Sequence, residues 1–95
     1  MYEATKVDGK ERAKIVLYAL STCGWCAKTR KFLEELGVAY SYVHVDMLGK
    51  DDKAAAMKDL ERFNSRVSFP TTIVNDSVAV IGYNTEKMLE AIGDE

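Results

Sequence analysis

The sequence is poor in the residues that staple or interrupt a fold: in 95 residues there is one proline, one tryptophan, one histidine and a single pair of cysteines, Cys23 and Cys26. Two cysteines separated by two residues do not make the disulfide framework of a small secreted domain, which carries several spaced pairs. They also fall short of a zinc site, because four ligands would need two more Cys or His and only His44 is available. Long apolar runs are missing too. The longest, Ile15 to Leu20, is six residues, against about 20 for a membrane span and about 7 to 15 for a signal-peptide core. Charge of either sign is not in excess, with 13 Lys and Arg against 15 Asp and Glu for a net charge of -2. The basic residues are dispersed and leave no broad footprint for nucleic acid. These absences predict a chain in the reducing cytoplasm, with neither nucleic acid nor membrane among its partners.

What is present fits one small α/β domain. Hydrophobic residues make up 47% of the chain and charged residues 29%. A chain of this length removes about 60 to 65% of its surface from water on folding, enough for one core without a staple. Residues 1–13 are rich in charge, lack periodicity and carry Asp8-Gly9 as a turn signal. They read as an N-terminal arm, either frayed or forming a short hairpin strand in which Glu3 to Val7 folds back after Asp8-Gly9. Residues 14–95 form the domain proper.

Lys14 to Leu20 is a continuous, partly β-branched apolar run, which suits a central strand covered on both faces. Past Thr22-Cys23-Gly24 the period becomes helical, with Cys26, Thr29, Leu33 and Leu36 on one stripe that Phe32 widens, and Gly37 as the stop. Ala39 to Val45 reads as a second strand, and Asp51 to Asn64 as a second helix with Asp51 and Asp52 at its dipole-favoured start. Thr71 to Val74 and Val78 to Ile81 flank an Asn75-Asp76 turn, and Thr85 to Ile92 closes the chain as a helix. The predicted order is β-α-β-α-β-β-α with a four-stranded mixed sheet, in which a right-handed first crossover makes the first two strands parallel neighbours. Phe32, Leu33, Leu36, Met57, Leu60, Phe63 and Leu89 are assigned to the core.

The chemistry concentrates in Cys23-Gly24-Trp25-Cys26, where the first strand ends and the first helix begins. A sulfur at a helix start faces unpaired backbone N–H groups and the positive end of the dipole, both of which favour thiolate over thiol. Cys23 is therefore the expected nucleophile. Cys26, one turn on and directed toward the core, is placed to resolve a mixed disulfide on Cys23. Phe69-Pro70 opens the third strand, and Pro70 reads either as a strand-start residue or, beside a dithiol at a strand corner, as a cis-proline.

Residues 14–92 resemble the glutaredoxin-type branch of the thioredoxin fold, because Cys23-Gly24-Trp25-Cys26, Ser68-Phe69-Pro70-Thr71 and Ile81-Gly82-Tyr83 stand in that family's order and spacing. The resemblance implies that Pro70 is cis and that the Phe69 backbone binds an incoming thiol peptide as an added strand would. Trp25, at a helix start whose neighbouring positions face solvent, reads as exposed and able to stack on a partner. The resemblance also implies that Gly82, Tyr83 and Thr85 help hold substrate and that Lys28, whose other reading is an exposed helix charge, supports the thiolate. The departures from the pattern are informative. Glutaredoxins usually carry a lysine three residues before the first cysteine to bind a glutathione carboxylate, and here the position is Leu20. Tyr83 replaces a glycine of the second glutathione loop, and Gly82-Tyr83-Asn84-Thr85-Glu86 is closer to ribonucleotide-reductase-associated redoxins.

The resemblance therefore implies a monomeric dithiol oxidoreductase that reduces protein or small-molecule disulfides. It holds no bound cofactor and draws electrons from an external thiol, glutathione or another, or from a thioredoxin-reductase-like enzyme. Gly24 stands where the commonest glutaredoxin motif has proline, and it raises a second possibility: a carrier in which two chains share a [2Fe-2S] cluster through Cys23 and an external thiol.

Overall fold

Residues 2–93 are described by the structure, a computed structural model; Met1 of the arm and Asp94 and Glu95 at the end of the domain lie outside the described residues. In chain order the elements are β1 (Thr5–Val7), β2 (Ile15–Ala19), α1 (Gly24–Leu36), β3 (Tyr40–His44), a 3₁₀ turn (Val45–Met47), α2 (Lys50–Glu61), β4 (Thr71–Val74), β5 (Val78–Ile81) and α3 (Thr85–Ile92). The apolar run at 15–19 becomes the middle of a mixed sheet ordered β1-β3-β2-β4-β5. It runs parallel to β3, with Ala19 opposite His44, and antiparallel to β4, with Tyr18 opposite Thr71. The parallel first pair is the one the crossover rule predicts.

The sheet has five strands, where the sequence pattern predicts four. The additional strand comes from the arm: Thr5–Val7 pairs antiparallel with Tyr40–Tyr42 of β3. It is neither frayed nor folded back as a hairpin onto the strand that follows it. Past β1 the chain crosses the start of β3, where Lys10 N–H donates to the Gly37 carbonyl at 2.8 Å and Ala39 N–H donates to the Lys10 carbonyl at 2.8 Å. This crossing requires Gly9, because a Cβ there would lie 2.6 Å from the Val38 carbonyl carbon and 2.7 Å from Ala39 N. At the far end of the arm, the Tyr2 hydroxyl donates to Asp59 of α2 at 2.6 Å and shares a 3.0 Å hydrogen bond with the Tyr18 hydroxyl.

Each face of the sheet buries a separate core. Ile15, Val74 and Val80 pack with Leu33 of α1 and Met88 and Ile92 of α3. On the other face, Tyr18, Val43 and Ile73 pack with Ala56 and Leu60 of α2. Leu33 and Leu60 are fully enclosed, while Phe32, Leu36, Met57 and Phe63 are half-buried at the margins of these cores. The β4–β5 turn has Asn75 and Asp76 at φ 56° and 55°, the paired left-handed geometry that suits a tight hairpin. Asn75 also ties this turn to the start of β2, donating from its N–H to the Lys14 carbonyl at 2.7 Å and accepting the Lys14 N–H at 3.0 Å.

Candidate active site

The switch from a period of two to a helical period puts Cys23 at the N-cap of α1, with extended φ and ψ of -90° and 118°. Its Sγ accepts the Cys26 N–H at 3.2 Å, so the sulfur takes the place a serine or aspartate oxygen fills at an ordinary cap. Cys23 is partly exposed, whereas Cys26 is 1% exposed and packs with Leu17 and Ala19 at the sheet end, with Phe69 and Tyr42 alongside. Burial, first, then the hydrogen bond to Cys23 push the Cys26 thiol up to about 12; a backbone hydrogen bond from Leu20 opposes them, and the charges of Cys23 and Asp46 add to the rise. The two sulfurs are therefore unlike: one stands at an open helix end, and the other is a buried thiol that holds its proton.

The wall opposite the cysteines is the loop before β4. The Phe69-Pro70 peptide bond is cis, and Pro70 is buried. Its carbonyl accepts the Gly82 N–H at 2.8 Å, with Gly82 at φ 79°, a conformation that favours glycine. Between these elements lies a groove of about 280 Å³ lined by Trp25, Phe69, Pro70, Gly82 and Tyr83. These are five of the six residues the sequence assigns to substrate. The sixth, Thr85, is the first residue of α3 and lies outside that lining.

Trp25 is 58% exposed, and its ring lies 5.7 Å from that of Tyr83, which in turn meets Phe32 edge-on at 6.4 Å. Lys28 is where the geometry adds a role: its ammonium sits 4.6 Å from the Trp25 ring centroid, a cation–π contact that steadies the exposed indole.

Two supports of the site were not singled out from the sequence. Buried Asn64 donates to Ser68 Oγ at 2.9 Å and Thr71 Oγ1 at 3.1 Å and accepts the Arg66 N–H at 3.2 Å, thereby shaping the loop before Pro70. That loop contains Val67 at φ 50°, a costly conformation for a β-branched residue, held by its N–H donating to the Asn64 carbonyl at 2.9 Å. The second support is Asp46, whose carboxylate accepts the Ser21 N–H at 2.9 Å and the Ser21 hydroxyl at 2.5 Å. A polar residue between the second helix and the proline was the available signal for Asn64. Asp46 follows β3 at the distance at which Ser21 follows β2, a relation visible only once the parallel register is known.

Residues 15–79, which hold both cysteines and the cis-proline, match a known family model, glutaredoxin. The chain belongs to the glutaredoxin family. Within the thioredoxin superfamily, its architecture is similar to that of a glutaredoxin from Methanosarcina mazei, which is 43% identical with a TM-score of 0.90 over 97% of this chain and 89% of that one. Methanoredoxin of Methanosarcina acetivorans is 52% identical with a TM-score of 0.86 over 90% of each chain. A glutaredoxin from Archaeoglobus fulgidus is 31% identical with a TM-score of 0.79 over 85% of this chain and 87% of that one. A search of curated proteins finds no match. Membership of the glutaredoxin family and the Cys23–Cys26 pair support thiol–disulfide oxidoreductase chemistry.

Proposed function

We propose that this glutaredoxin reduces disulfides by a dithiol mechanism, as a monomer in the cytoplasm. The Cys23 thiolate attacks one sulfur of a substrate disulfide, forming a mixed disulfide and expelling the other half as a thiolate that takes a proton. Cys26 then gives up its proton and attacks Cys23 Sγ. The second substrate thiolate leaves, and the Cys23–Cys26 disulfide forms. An external thiol or a reductase returns two electrons and two protons to restore the dithiol. The observation that carries the reading is the inequality of the sulfurs, Cys23 capping α1 in the open and Cys26 held protonated in the core. The groove of Trp25, Phe69, Pro70, Gly82 and Tyr83 supports extended binding of a substrate peptide beside Cys23. Lys28 serves the site by fixing Trp25 and by its positive charge.

For the electron source, we take Leu20 and Tyr83 to weaken a glutathione site, so that another small thiol or a thioredoxin-reductase-like enzyme is the better reductant. Nothing observed favours the iron–sulfur carrier. The carrier would take Cys23 from each of two chains and complete its four sulfur ligands with an external thiol, and the departures at Leu20 and Tyr83 weaken the site that would hold glutathione in that role. The test is reduction of a protein disulfide by the chain and its two single-cysteine variants. The reading requires turnover from the parent alone and a stalled mixed disulfide in Cys26→Ser.

A further inference from the structure

The carboxylate of Asp46 belongs to the 3₁₀ turn after β3, yet both its oxygens are spent on Ser21, two residues before Cys23. The pairing follows from the sheet. β2 and β3 are parallel, with Ala19 opposite His44, so both chains leave the sheet at the same end and Ser21 and Asp46 meet two residues later. The turn thus gripped is closed by the Cys23 N–H donating to the Leu20 carbonyl at 3.3 Å, and its last residue is the helix cap that carries the nucleophile.

From this geometry we propose that Asp46 makes the dithiol couple more reducing, as a negative charge held by Ser21 at the turn that presents Cys23. The inference rests on the dithiol reading. Reduction of the Cys23–Cys26 disulfide adds two electrons and two protons, and where one of those protons is lost a neutral bond has been replaced by a pair that carries thiolate charge. A nearby carboxylate raises the free energy of that charged form but not of the disulfide. The hydrogen bonds from Ser21 hold the Asp46 carboxyl below its ordinary range, so the charge is present at neutral pH, and Asp46 is among the groups that push the Cys26 thiol up. His44, the other titratable group that acts on Asp46, favours the same charged form.

The test uses the full chain, Asp46→Asn, Asp46→Glu and Ser21→Ala. Each is equilibrated in dithiothreitol redox buffers, and the dithiol fraction is read after acid quench and alkylation; the pH dependence of Cys23 alkylation is followed in parallel. Asparagine keeps an acceptor for the Ser21 N–H and removes the charge. The exchange equilibrium of Asp46→Asn should move about two- to fivefold toward the dithiol, the modest span expected for one exposed, screened charge, and its alkylation profile should move to lower pH. Asp46→Glu should restore both quantities. Ser21→Ala keeps the charge, and its profile should stay at the parent's position. A parent-like Asp46→Asn would overturn the inference, and so would equal displacement of Asp46→Asn and Ser21→Ala, which would mark the clamp as merely structural. Failure of the parent itself to form the Cys23–Cys26 disulfide would instead refute the dithiol reading on which the inference rests.

Discussion

Removing each sulfur in turn exposes the chemistry of the other. In Cys26→Ser, the remaining Cys23 is partly exposed at the start of α1, open to a reagent. In Cys23→Ser, the remaining Cys26 is 1% exposed against Leu17 and Ala19. With its thiol pushed up to about 12 in the parent, Cys26 is overwhelmingly protonated at pH 7. Loss of Cys23 relieves the sulfur–sulfur hydrogen bond and charge, but burial, the largest cause of the shift, survives. We therefore expect iodoacetamide at pH 7, followed by intact-protein mass spectrometry, to modify Cys26→Ser at least about a hundredfold faster than Cys23→Ser, since only exposed thiolate reacts. Raising the pH should speed Cys23→Ser by about tenfold per unit with no plateau below pH 9, as ionisation of a high-pKa thiol requires. Rates within a few-fold of each other at pH 7 would refute the assignment of nucleophile and resolving thiol.

Leu20→Lys should improve turnover with glutathione and its reductase by about tenfold or more, the range of one charge-assisted carboxylate contact; a parent that already turns over glutathione efficiently would count against the reading of Leu20 and Tyr83. The emission of Trp25, which is 58% exposed and next to Cys26 in sequence, should change between dithiol and disulfide, and titration in a thiol redox buffer should yield a two-electron curve. Gly9→Ala should cost about 1 to 3 kcal/mol by forcing a Cβ into the Val38–Ala39 backbone, lowering Tm by about 4 °C or more while leaving Cys23 alkylation at the parent rate. The hydroxyls of Tyr2, Tyr18 and Tyr40 are all held above the ordinary tyrosine value, burial being the leading cause for each. A raised folded-state value means the native state keeps protons that the unfolded chain gives up. Their contribution is therefore whole below about pH 10 and is lost above it, and Tyr2→Phe should flatten the alkaline fall in denaturant midpoint.

The site was more legible in the sequence than its supports were. A β-branched apolar run that breaks into a helical stripe at Cys23 places that sulfur at a helix cap by local pattern alone. The glutaredoxin resemblance then adds the opposing wall, and Trp25, Phe69, Pro70, Gly82 and Tyr83 do line one groove. In the arm, a short strand within Glu3 to Val7 is one of two readings, but its partner was not legible, because Thr5–Val7 has too few residues to show a period and its pairing with β3 depends on the close crossing at Gly9. Lys28 reads on α1 either as a support of the thiolate or as one more helix charge, and its contact with the indole shows only in the fold, where Trp25 also lies against Tyr83. Asn64 and Asp46 act through tertiary hydrogen bonds, which leave no period in the sequence.

The most direct test of the dithiol account is to mix Cys26→Ser with a disulfide-bonded peptide, quench with acid and map the products by mass spectrometry. The account predicts a mixed disulfide on Cys23 that persists in the absence of added thiol, whereas the parent under the same conditions releases the peptide thiol and ends as the internal Cys23–Cys26 disulfide. Recovery of Cys26→Ser without an adduct, or release of the peptide by that variant at the parent's rate, would contradict it.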